Sequence, residues 1–526
     1  YRHFLFKNIF MNAKLISSIY KTIIFFPLLL YFGKRSYIAY DEGFYALQAK
    51  WMLQNNNWVV PVWWDQFVLD RTVGIQFLIA KCQQIFGETS FVAHLPTTIA
   101  SILMLFLTYK LHQELIGRKD AIFSALILAT TYIWLDFAHL ATQDMIFACL
   151  VTSGIYALVK LREEKESLYL LIFGGWIGLA FFMKTFLIAI PLITLFPYLI
   201  YKRQIINTKF FWLGIFIGFL PFLIWSYQIN PYLEKNIIFF LIDKVNTLSV
   251  NNTFTNPFYY YIWNIPVNFL PWSIFSIIGL IYQFKKTRQI NYLLKYFPIL
   301  YIFVLSIFST KTPYYSLPIA SILSLNAYLG LKETLKIYHL RLLFFKLTSK
   351  IIPVFIFSTI TIYFLILKKS INLHLKEEVL LITGFFISAL VLITIKNAKE
   401  FRSIFLTFLV CPYLIGSCMV QSGLLTDRSR NLRETIENIS AKEGLNNHSI
   451  NVISDNLNTA NSNSKLIKIL LMTPNLGRDL KNLNELKPNE YAWMIESNIA
   501  TNKSENYQII ARDKNLNPWT LIKKKI

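Results

Sequence analysis

Charged residues are scarce in this sequence. Of its 526 residues only 15% are Asp, Glu, Lys or Arg, while 55% are hydrophobic and 16% are aromatic. Soluble domains carry about 25% charged residues, so an ordinary soluble globular chain is excluded. Cysteine is scarcer still: the chain has 4, without a C-x-x-C pair. Neither a disulfide framework nor a cysteine-based metal site is therefore indicated.

Long apolar runs replace the missing charges. From about residue 14 to 420, runs of roughly 17–23 residues alternate with short polar breaks, which is the length that a helix needs to cross a hydrocarbon core of about 30 Å. Only helices satisfy all backbone polar groups in lipid over such runs. We count about thirteen runs by this criterion, the first being Leu15–Phe32. Met11 is a candidate initiator. The sequence predicts an all-α polytopic membrane domain over residues 14–424.

Acidic residues are outnumbered, and the formal net charge is +23. The basic residues lie mainly in alternate breaks between the apolar runs, a pattern of membrane topology and lipid contact rather than of nucleic-acid binding. We predict a multi-pass inner (plasma) membrane protein with a cytoplasmic N-terminus and basic breaks on the cytoplasmic side. The basic break at Lys368–Lys376, which this topology places outside, is the exception. The basic breaks are Lys110–Lys119, Lys160–Lys165, Lys202–Lys209, Lys285–Arg288, Lys332–Lys350 and Lys396–Arg402.

The last part of the chain, residues 425–526, is polar and lacks apolar runs. An odd number of spans places it outside the cell, where it is predicted to form a small α/β or α+β domain. Ser449–Ser454, Lys465–Met472 and Tyr491–Ile495 are predicted as strands, and Arg428–Ala441 as a helix.

Two predicted outer loops, residues 34–90 and 227–261, are much longer than turns, and long ordered loops are usually functional. The first contains the acidic pair Asp41 and Glu42, followed by a predicted interfacial helix, Phe44–Gln54. A carboxylate at this boundary can orient or deprotonate an acceptor group. Asp41 could equally serve as a helix N-cap, which Asp favours.

Three cations interrupt or border apolar stretches at predicted outer turns: Arg71, Lys184 and Lys311. Cations at one membrane level suit a phosphate leaving group, whose charge grows as its bond to a sugar breaks. A lone Lys can also extend to lipid head groups. Asp144 begins a predicted span, where the helix dipole favours an anion whatever its function.

Several short motifs occur in an order that resembles the polyprenyl-phosphate-dependent GT-C glycosyltransferases, in particular bacterial relatives of protein O-mannosyltransferases and of the aminoarabinose transferase that modifies lipid A. The resemblance covers roughly residues 14–330. The motifs are Tyr40–Tyr45 (YDEGFY), Leu69–Arg71 (LDR), Phe86–Glu88 (FGE), His94–Pro96 (HLP), Gly117–Arg118, Ala141–Asp144 (ATQD), Gly178–Lys184 (GLAFFMK), Phe269–Trp272 (FLPW) and Ser309–Pro318 (STKTPYYSLP).

This resemblance implies a GT-C fold, a polyprenyl-phosphate sugar as donor, and a lipid, protein or glycan as acceptor. It also implies roles for individual residues. These are Asp41 with Glu42 as the catalytic acids, Arg71, Lys184 and Lys311 as ligands of the donor phosphate, and Asp70, Asp144, Tyr314 and Tyr315 in support.

The sequence departs from the family pattern at two places. Arg71 and Thr72 stand where the aminoarabinose branch usually has Lys followed by Pro, so the identity of the sugar is open. A histidine often found in the second long loop is replaced by the region of Asp243 and Lys244. We therefore assign no metal ligands and no cofactor, and the use of a divalent metal is left open.

Two other functions fit a polytopic protein: a transporter or flippase for lipid-linked sugars, and a scaffold without chemistry. Transporters place ionisable residues near the bilayer midplane and often contain repeats, whereas the charges here lie at loop edges and no repeat is visible. A scaffold does not explain charged turns within apolar stretches. The sequence therefore favours an enzyme.

Overall fold

The computed structural model describes residues 23–63, 66–67, 71–161, 166–233, 236–250, 255–285, 291–363, 365, 373–453, 460–495 and 507–525. As far as Gln421, regular structure in these ranges is helical except for a short hairpin of β1 (Val62–Trp63) and β2 (Gln66–Phe67). The helices are α1 (Phe26–Leu29), α2 (Asp41–Gln54), α3 (Gly74–Phe86), α4 (Ser90–Ala93), α5 (Leu95–Leu115), α6 (Ala121–Ala129), α7 (Tyr132–Ala138), α8 (Gln143–Lys160), α9 (Glu166–Lys184), α10 (Ala189–Tyr201), α11 (Lys209–Ile229), α12 (Ile237–Val250), α13 (Tyr260–Asn268), α14 (Ser273–Phe284), α15 (Asn291–Ile307), α16 (Ala320–Lys336), α17 (Tyr338–Lys346), α18 (Ile352–Ile362), α19 (Leu375–Ile393) and α20 (Phe401–Gln421).

Six helical stretches among the described residues are long and apolar enough to cross a membrane, and two bent helix pairs raise the number to 8. A mostly helical, multi-pass membrane architecture is thus confirmed, while the predicted number of about thirteen spans is not reached within the described ranges. Much of the first predicted span, Leu15–Phe32, lies outside them. The six are Leu95–Leu115, Gln143–Lys160, Ser167–Ile200, Lys209–Tyr232, Leu375–Asn397 and Phe401–Gln421.

Glycines bring α9 and α11 into backbone contact. A Cβ at Gly174 would lie 2.2 Å from the carbonyl oxygen of Phe211, and one at Gly178 would lie 2.2 Å from the carbonyl carbon of Gly218. Small residues spaced four apart allow this close approach of membrane helices. Because later residues of α9 meet later residues of α11, the two helices run parallel.

The parallel arrangement requires the chain to reverse between them. Leu171 lies beside Gly214, near the start of α11. If α10 continued in the direction of α9, the end of α10 would lie roughly 45 Å from Leu171. The residues between Tyr201 and Lys209 reach at most about 28 Å. The 34-residue apolar stretch Ser167–Ile200 therefore turns back at the 3₁₀ turn Thr185–Ile188. Lys184 lies at this reversal.

The C-terminal part forms a mixed five-stranded sheet with two helices. The strand order is β4-β3-β5-β7-β6, in which β3 pairs parallel with β4 and β5, while β7 pairs antiparallel with β5 and β6. The elements are α21 (Arg430–Glu443), β3 (Ser449–Ile453), α22 (Ala460–Met472), β4 (Asn475–Leu480), β5 (Tyr491–Ile495), β6 (Tyr507–Ala511) and β7 (Trp519–Lys524).

Most of the local predictions for this part are confirmed, because helix α21 and strands β3 and β5 lie where the sequence placed them. The strand predicted at Lys465–Met472 was wrong, since these residues belong to α22. The physical reason is that Leu466, Ile467, Ile469 and Leu470 are all fully buried. These positions share one helical face, which covers the sheet and α2.

Helix α22 packs against α2 and so ties the C-terminal part to the outer loop. A Cβ at Gly43 would lie 2.6 Å from Cγ2 of Ile467, so only glycine permits this approach. Nζ of Lys50 donates a hydrogen bond of 2.6 Å to the carbonyl oxygen of Thr473, just beyond α22. The C-terminal part therefore holds the helix that begins at Asp41.

Candidate active site

The first charged pair of the site joins Asp41 and Arg71. Asp41 opens α2, and its Oδ1 lies 3.6 Å from Nη1 of Arg71. The guanidinium group of Arg71 donates to the hydroxyl of Tyr45 and lies over that ring, 5.1 Å from its centroid. The Asp41 and Arg71 side chains remain 46% and 30% exposed. An ion pair this open contributes little to stability, so both groups are accessible to a ligand.

The second charged pair joins Lys184 and Asp144. Nζ of Lys184, at the end of α9, donates to Oδ1 of Asp144 in the first turn of α8, where the helix dipole also favours an anion. The ammonium group lies 4.4 Å from the ring centroid of Tyr314 and 5.3 Å from that of Tyr315. Both side chains of the pair are almost fully buried, at 6% and 5% exposure.

Tyr315 connects the two pairs electrostatically. Burial, followed by the charges of Asp144 and Asp41, raises the pKa of its phenol to about 12, against the smaller lowering effect of the charge of Arg71. Since these three groups all act on one phenol, the two ion pairs lie within electrostatic range of the same point. The structure therefore brings together Asp41, Arg71, Lys184 and Asp144 around the Tyr314–Tyr315 turn.

Backbone strain flanks both pairs. Tyr40, immediately before Asp41, has a φ of 64°, and Thr185, immediately after Lys184, has a φ of 49°. Positive φ is uncommon for residues other than glycine and is a true outlier for a β-branched residue such as Thr. Strained backbone of this kind concentrates at functional sites.

Glu42 lies on a different side of α2 from Asp41 and is only 1% exposed. Its Oε1 accepts hydrogen bonds of 2.8 Å from both the backbone amide of Ala141 and Nε2 of His94, and its Oε2 accepts one of 2.7 Å from the amide of Ile38. Burial alone raises the pKa of the Glu42 carboxyl, but the bonds from His94 and the two amides outweigh it and lower the pKa. This placement favours a positioning role over the catalytic one predicted.

We expect Glu42→Gln to lower the free energy of unfolding at pH 7 by about 1–3 kcal/mol, because one buried amide loses its acceptor. The pKa of Glu42 is lowered from 4.5 in the folded protein, so its stabilisation is full above that value and disappears as the pH falls through the native pKa. The gap between the thermal unfolding midpoints of wild type and variant should therefore narrow on acidification. Glu485→Gln, at an exposed acid, is the control; a gap independent of pH would contradict this role.

Lys311 is only 4% exposed and is bound by backbone carbonyl oxygens. Its ammonium group donates to the carbonyl oxygens of Phe308 at 2.5 Å, Asn256 at 2.9 Å and Ser309 at 3.5 Å. Because an ammonium group has three donors, these bonds use its full capacity and fix Ser309–Thr312 to the second outer loop. The geometry gives no support to the predicted phosphate contact of Lys311.

Two predictions remain: the supporting role of Asp70 and the possible use of a metal. Asp70 lies outside the described residues, as does the rest of Val68–Asp70. In the part of the chain that the structure describes, no three His, Cys, Asp or Glu side chains come together as metal ligands. We assign no metal to this site.

Sequence reasoning gave no role to Tyr45 and His94. Tyr45 follows Asp41 by four residues on α2, and this spacing places the two side chains on one face. The predicted helix began only at Phe44, so the sequence analysis missed this signal. His94 was noted only within a motif, and its bond to Glu42 joins residues 52 positions apart, which no local pattern reveals.

Known proteins resemble this chain in part of its sequence and in its fold. A family model described as dolichyl-phosphate-mannose-protein mannosyltransferase matches residues 70–227. The crystal structure of ArnT from Cupriavidus metallidurans bound to undecaprenyl phosphate superposes with a TM-score of 0.75 over 97% of this chain and 98% of that chain, at 14% identity. The chain therefore has the GT-C fold, and its residues 70–227 are similar to this mannosyltransferase family.

Curated relatives of this chain are about a quarter identical to it over the aligned residues. The undecaprenyl phosphate-alpha-4-amino-4-deoxy-L-arabinose arabinosyl transferase 2 of Proteus mirabilis is 26% identical over 313 residues, covering 56% of each chain. An uncharacterized protein of Aquifex aeolicus is 25% identical over 305 residues, covering 55% of this chain and 59% of that protein. The GT-C chain thus spans somewhat more than half the length of these relatives.

Proposed function

We propose that this GT-C protein transfers a sugar from a polyprenyl-phosphate carrier to an acceptor at the outer face of the cytoplasmic membrane. The observation that carries the proposal is the convergence of a half-exposed carboxylate, Asp41, with two cations, Arg71 and Lys184. A carboxylate can receive the proton of a nucleophile, and cations stabilise a departing phosphate. Undecaprenyl phosphate in the ArnT structure supports this class of donor.

In the proposed complex the donor phosphate lies between Arg71 and Lys184, with its polyprenyl tail among the spans. The guanidinium group of Arg71, placed by Tyr45 and Asp41, presents its N–H bonds in a planar fork that suits phosphate oxygens. Lys184 is fixed by Asp144 and by the rings of Tyr314 and Tyr315. Both cations are therefore held in place before the donor arrives, which is the condition for electrostatic stabilisation of a transition state.

The reaction is a single displacement. A hydroxyl or amine of the acceptor forms a bond to the anomeric carbon while the bond from that carbon to the phosphate oxygen breaks. Asp41 orients the nucleophile and takes its proton, and the polyprenyl phosphate leaves with the bonding electrons. The acceptor is a lipid, a protein or a glycan, and the sugar identity is open.

The sequence alone grouped further residues with this site. We now propose that Glu42 positions the start of α2 through His94 and Ala141, and that Lys311 anchors the outer loop. Asp70 is kept as a supporting residue beside Arg71. We also propose a membrane domain of about thirteen spans over residues 14–424, a cytoplasmic N-terminus, and an extracytoplasmic domain over residues 425–526.

We expect Arg71→Ala to raise the KM for the donor by about 10–100-fold, because a hydrogen bond to a charged group contributes about 1.5–3 kcal/mol. The effect on kcat should be smaller, since Lys184 remains to stabilise the leaving group. The measurement is the rate at which the purified protein releases polyprenyl phosphate from a labelled polyprenyl-phosphate sugar. A flippase would release none.

Lys81→Ala is a matched control, because Lys81 is a cation on the neighbouring α3 that lies over the ring of Trp58, 3.7 Å from its centroid, away from the site. It should leave the KM unchanged. An unaltered donor KM in Arg71→Ala would exclude Arg71 from phosphate binding.

A further inference from the structure

A second polar pocket lies on another side of α2 from the active site. Its volume is about 450 Å³, and it is enclosed by the segment before α2, by α2 itself, by the start of α4 and by the C-terminal domain. Asp41 and Tyr45 share one face of α2, whereas the pocket residues Ala46 and Lys50 are rotated by roughly 100–180° around the helix axis from Asp41 and Tyr45. The pocket is therefore separate from the site of transfer.

The notable group in this pocket is Arg35, which is only 4% exposed. Its Nε and Nη1 are buried and have no hydrogen-bond partner within the described residues. The guanidinium plane is held by aromatic rings, 6.0 Å from the centroid of Tyr31 and 5.5 Å from that of Phe91. A buried charge without hydrogen bonds costs several kcal/mol unless an opposite charge compensates it.

The pocket's other cations already have partners. Nζ of Lys50 lies 3.5 Å from Oε1 of Glu88 and donates to a backbone carbonyl. Arg433 pairs with Asp427 at 2.8 Å and with Glu437 at 2.9 Å. These pairs leave Arg35 as the cation of this pocket without a hydrogen-bonded anion.

Glu42 acts on Arg35 only through space, because its two oxygens are held by His94 and by two backbone amides. Burial lowers the pKa of Arg35 to about 10. This value still leaves the guanidinium group charged at neutral pH, and its Nε and Nη1 have no hydrogen-bond partner within the described residues.

We propose that this pocket is a second binding site, in which Arg35 binds the oxyanion of a phosphate ester. A planar guanidinium group matches phosphate oxygens in geometry and charge. The hydroxyl and amide groups of Thr89, Ser90 and Gln83 also line the pocket and provide neutral hydrogen-bonding groups around such an anion. The volume exceeds that of phosphate alone, so it accommodates part of the group that the phosphate esterifies. The phosphate belongs either to a soluble phosphorylated compound or to a lipid head group.

The test uses the full chain in nanodiscs of phosphatidylcholine, with inorganic phosphate as the soluble probe and chloride at equal ionic strength as the reference. We expect phosphate to raise the thermal unfolding midpoint of the wild type, and Arg35→Gln to weaken the apparent affinity for phosphate at least tenfold. Arg478→Gln removes an arginine of the C-terminal domain that is 57% exposed and pairs with Glu490. This control should keep the full response.

A second set of nanodiscs containing phosphatidylglycerol distinguishes the source of the phosphate. If the lipid head group is the ligand, these discs raise the midpoint of the wild type but not that of Arg35→Gln, without added phosphate. If the ligand is soluble, only inorganic phosphate does so. The proposal is overturned if neither probe stabilises the wild type. It is equally overturned if Arg35→Gln responds like the wild type, which would leave Arg35 with only its aromatic contacts.

Discussion

Replacing Asp41 by Asn should reduce the rate of sugar transfer by about 10²–10⁴-fold, the range that a positioned general base contributes. The substitution keeps the shape of the side chain, and no N-cap is lost because Asp41 is the first residue of α2 while Tyr40 is the N-cap. It removes the negative charge and the ability to take a proton. The protein should therefore remain folded and continue to bind the donor.

The measurement is release of polyprenyl phosphate by the purified chain in the presence of acceptor, with donor binding and thermal unfolding followed in parallel. Asp513→Asn is a suitable control, because Asp513 is exposed and accepts a hydrogen bond of 2.7 Å from the amide of Asn515 within its own turn. It should transfer sugar at the wild-type rate. Unchanged turnover in Asp41→Asn would remove the catalytic role of Asp41, whatever the other residues do.

A loss of donor binding in Asp41→Asn would point to a different role. Asp41 lies 3.6 Å from Arg71, and its charge could hold that guanidinium group in position for the phosphate. In that case the donor KM rises and kcat changes little. A fall in kcat at constant KM is expected for an interaction made only in the transition state.

The sequence could predict which charged residues lie at this surface, but neither the pairing of Lys184 with Asp144 nor the environment of each residue. Asp41 and Arg71 lie in one long outer loop, and Lys184 and Asp144 each lie at the end of an apolar run, so membrane topology alone brings all four to one surface. The motifs that contain these residues also occur in the order typical of the family. The site was therefore predictable from the positions of charges in an otherwise apolar chain.

The roles of neighbouring acids were not predictable in this way. Asp41 and Glu42 are adjacent, and adjacent side chains on a helix point about 100° apart. The sequence does not show which one faces solvent. Tertiary contacts decide it: His94 and Ala141, which belong to other elements, enclose Glu42 and leave Asp41 half exposed. The role of Lys311 was not predictable for the same reason, since its partner Asn256 lies 55 residues away in the sequence.

Errors in secondary structure have a comparable cause. The stretch at Lys465–Met472 contains both β-branched and straight apolar residues, and a short apolar run does not distinguish a strand from a buried helix. The stretch is a helix because its apolar face packs against α2. In the membrane domain, by contrast, the reversal at Thr185–Ile188 was predictable, because the apolar stretch around it is too long for one crossing.

The other large effect is expected at Lys184. Lys184→Met should lower kcat by about 10²–10³-fold, because one preorganised charge that stabilises the leaving phosphate is lost. The single substitution is difficult to interpret, however. It leaves the carboxylate of Asp144 buried at 5% exposure, and removing one partner of a buried ion pair costs about 3–5 kcal/mol in stability.

The double variant Lys184→Met with Asp144→Asn separates the two effects. It removes both charges, so no uncompensated ion remains, and the protein should be close to wild type in stability. If Lys184 stabilises the leaving group, the double variant stays about 10²-fold or more below wild type in kcat. If Lys184 serves only to neutralise Asp144, activity returns to the wild-type level.

A matched pair is available at the other end of α8, where Nζ of Lys160 lies 3.1 Å from Oε1 of Glu114. Lys160→Met with Glu114→Gln removes a similar pair from the opposite side of the membrane domain and should leave kcat unchanged. Loss of activity in both double variants would indicate that paired charges on α8 matter for its packing. Loss of activity only in the double variant that lacks Lys184 would indicate that Lys184 stabilises the leaving phosphate. Of the two pairs, only this one lies beside Asp41, Arg71 and the Tyr314–Tyr315 turn.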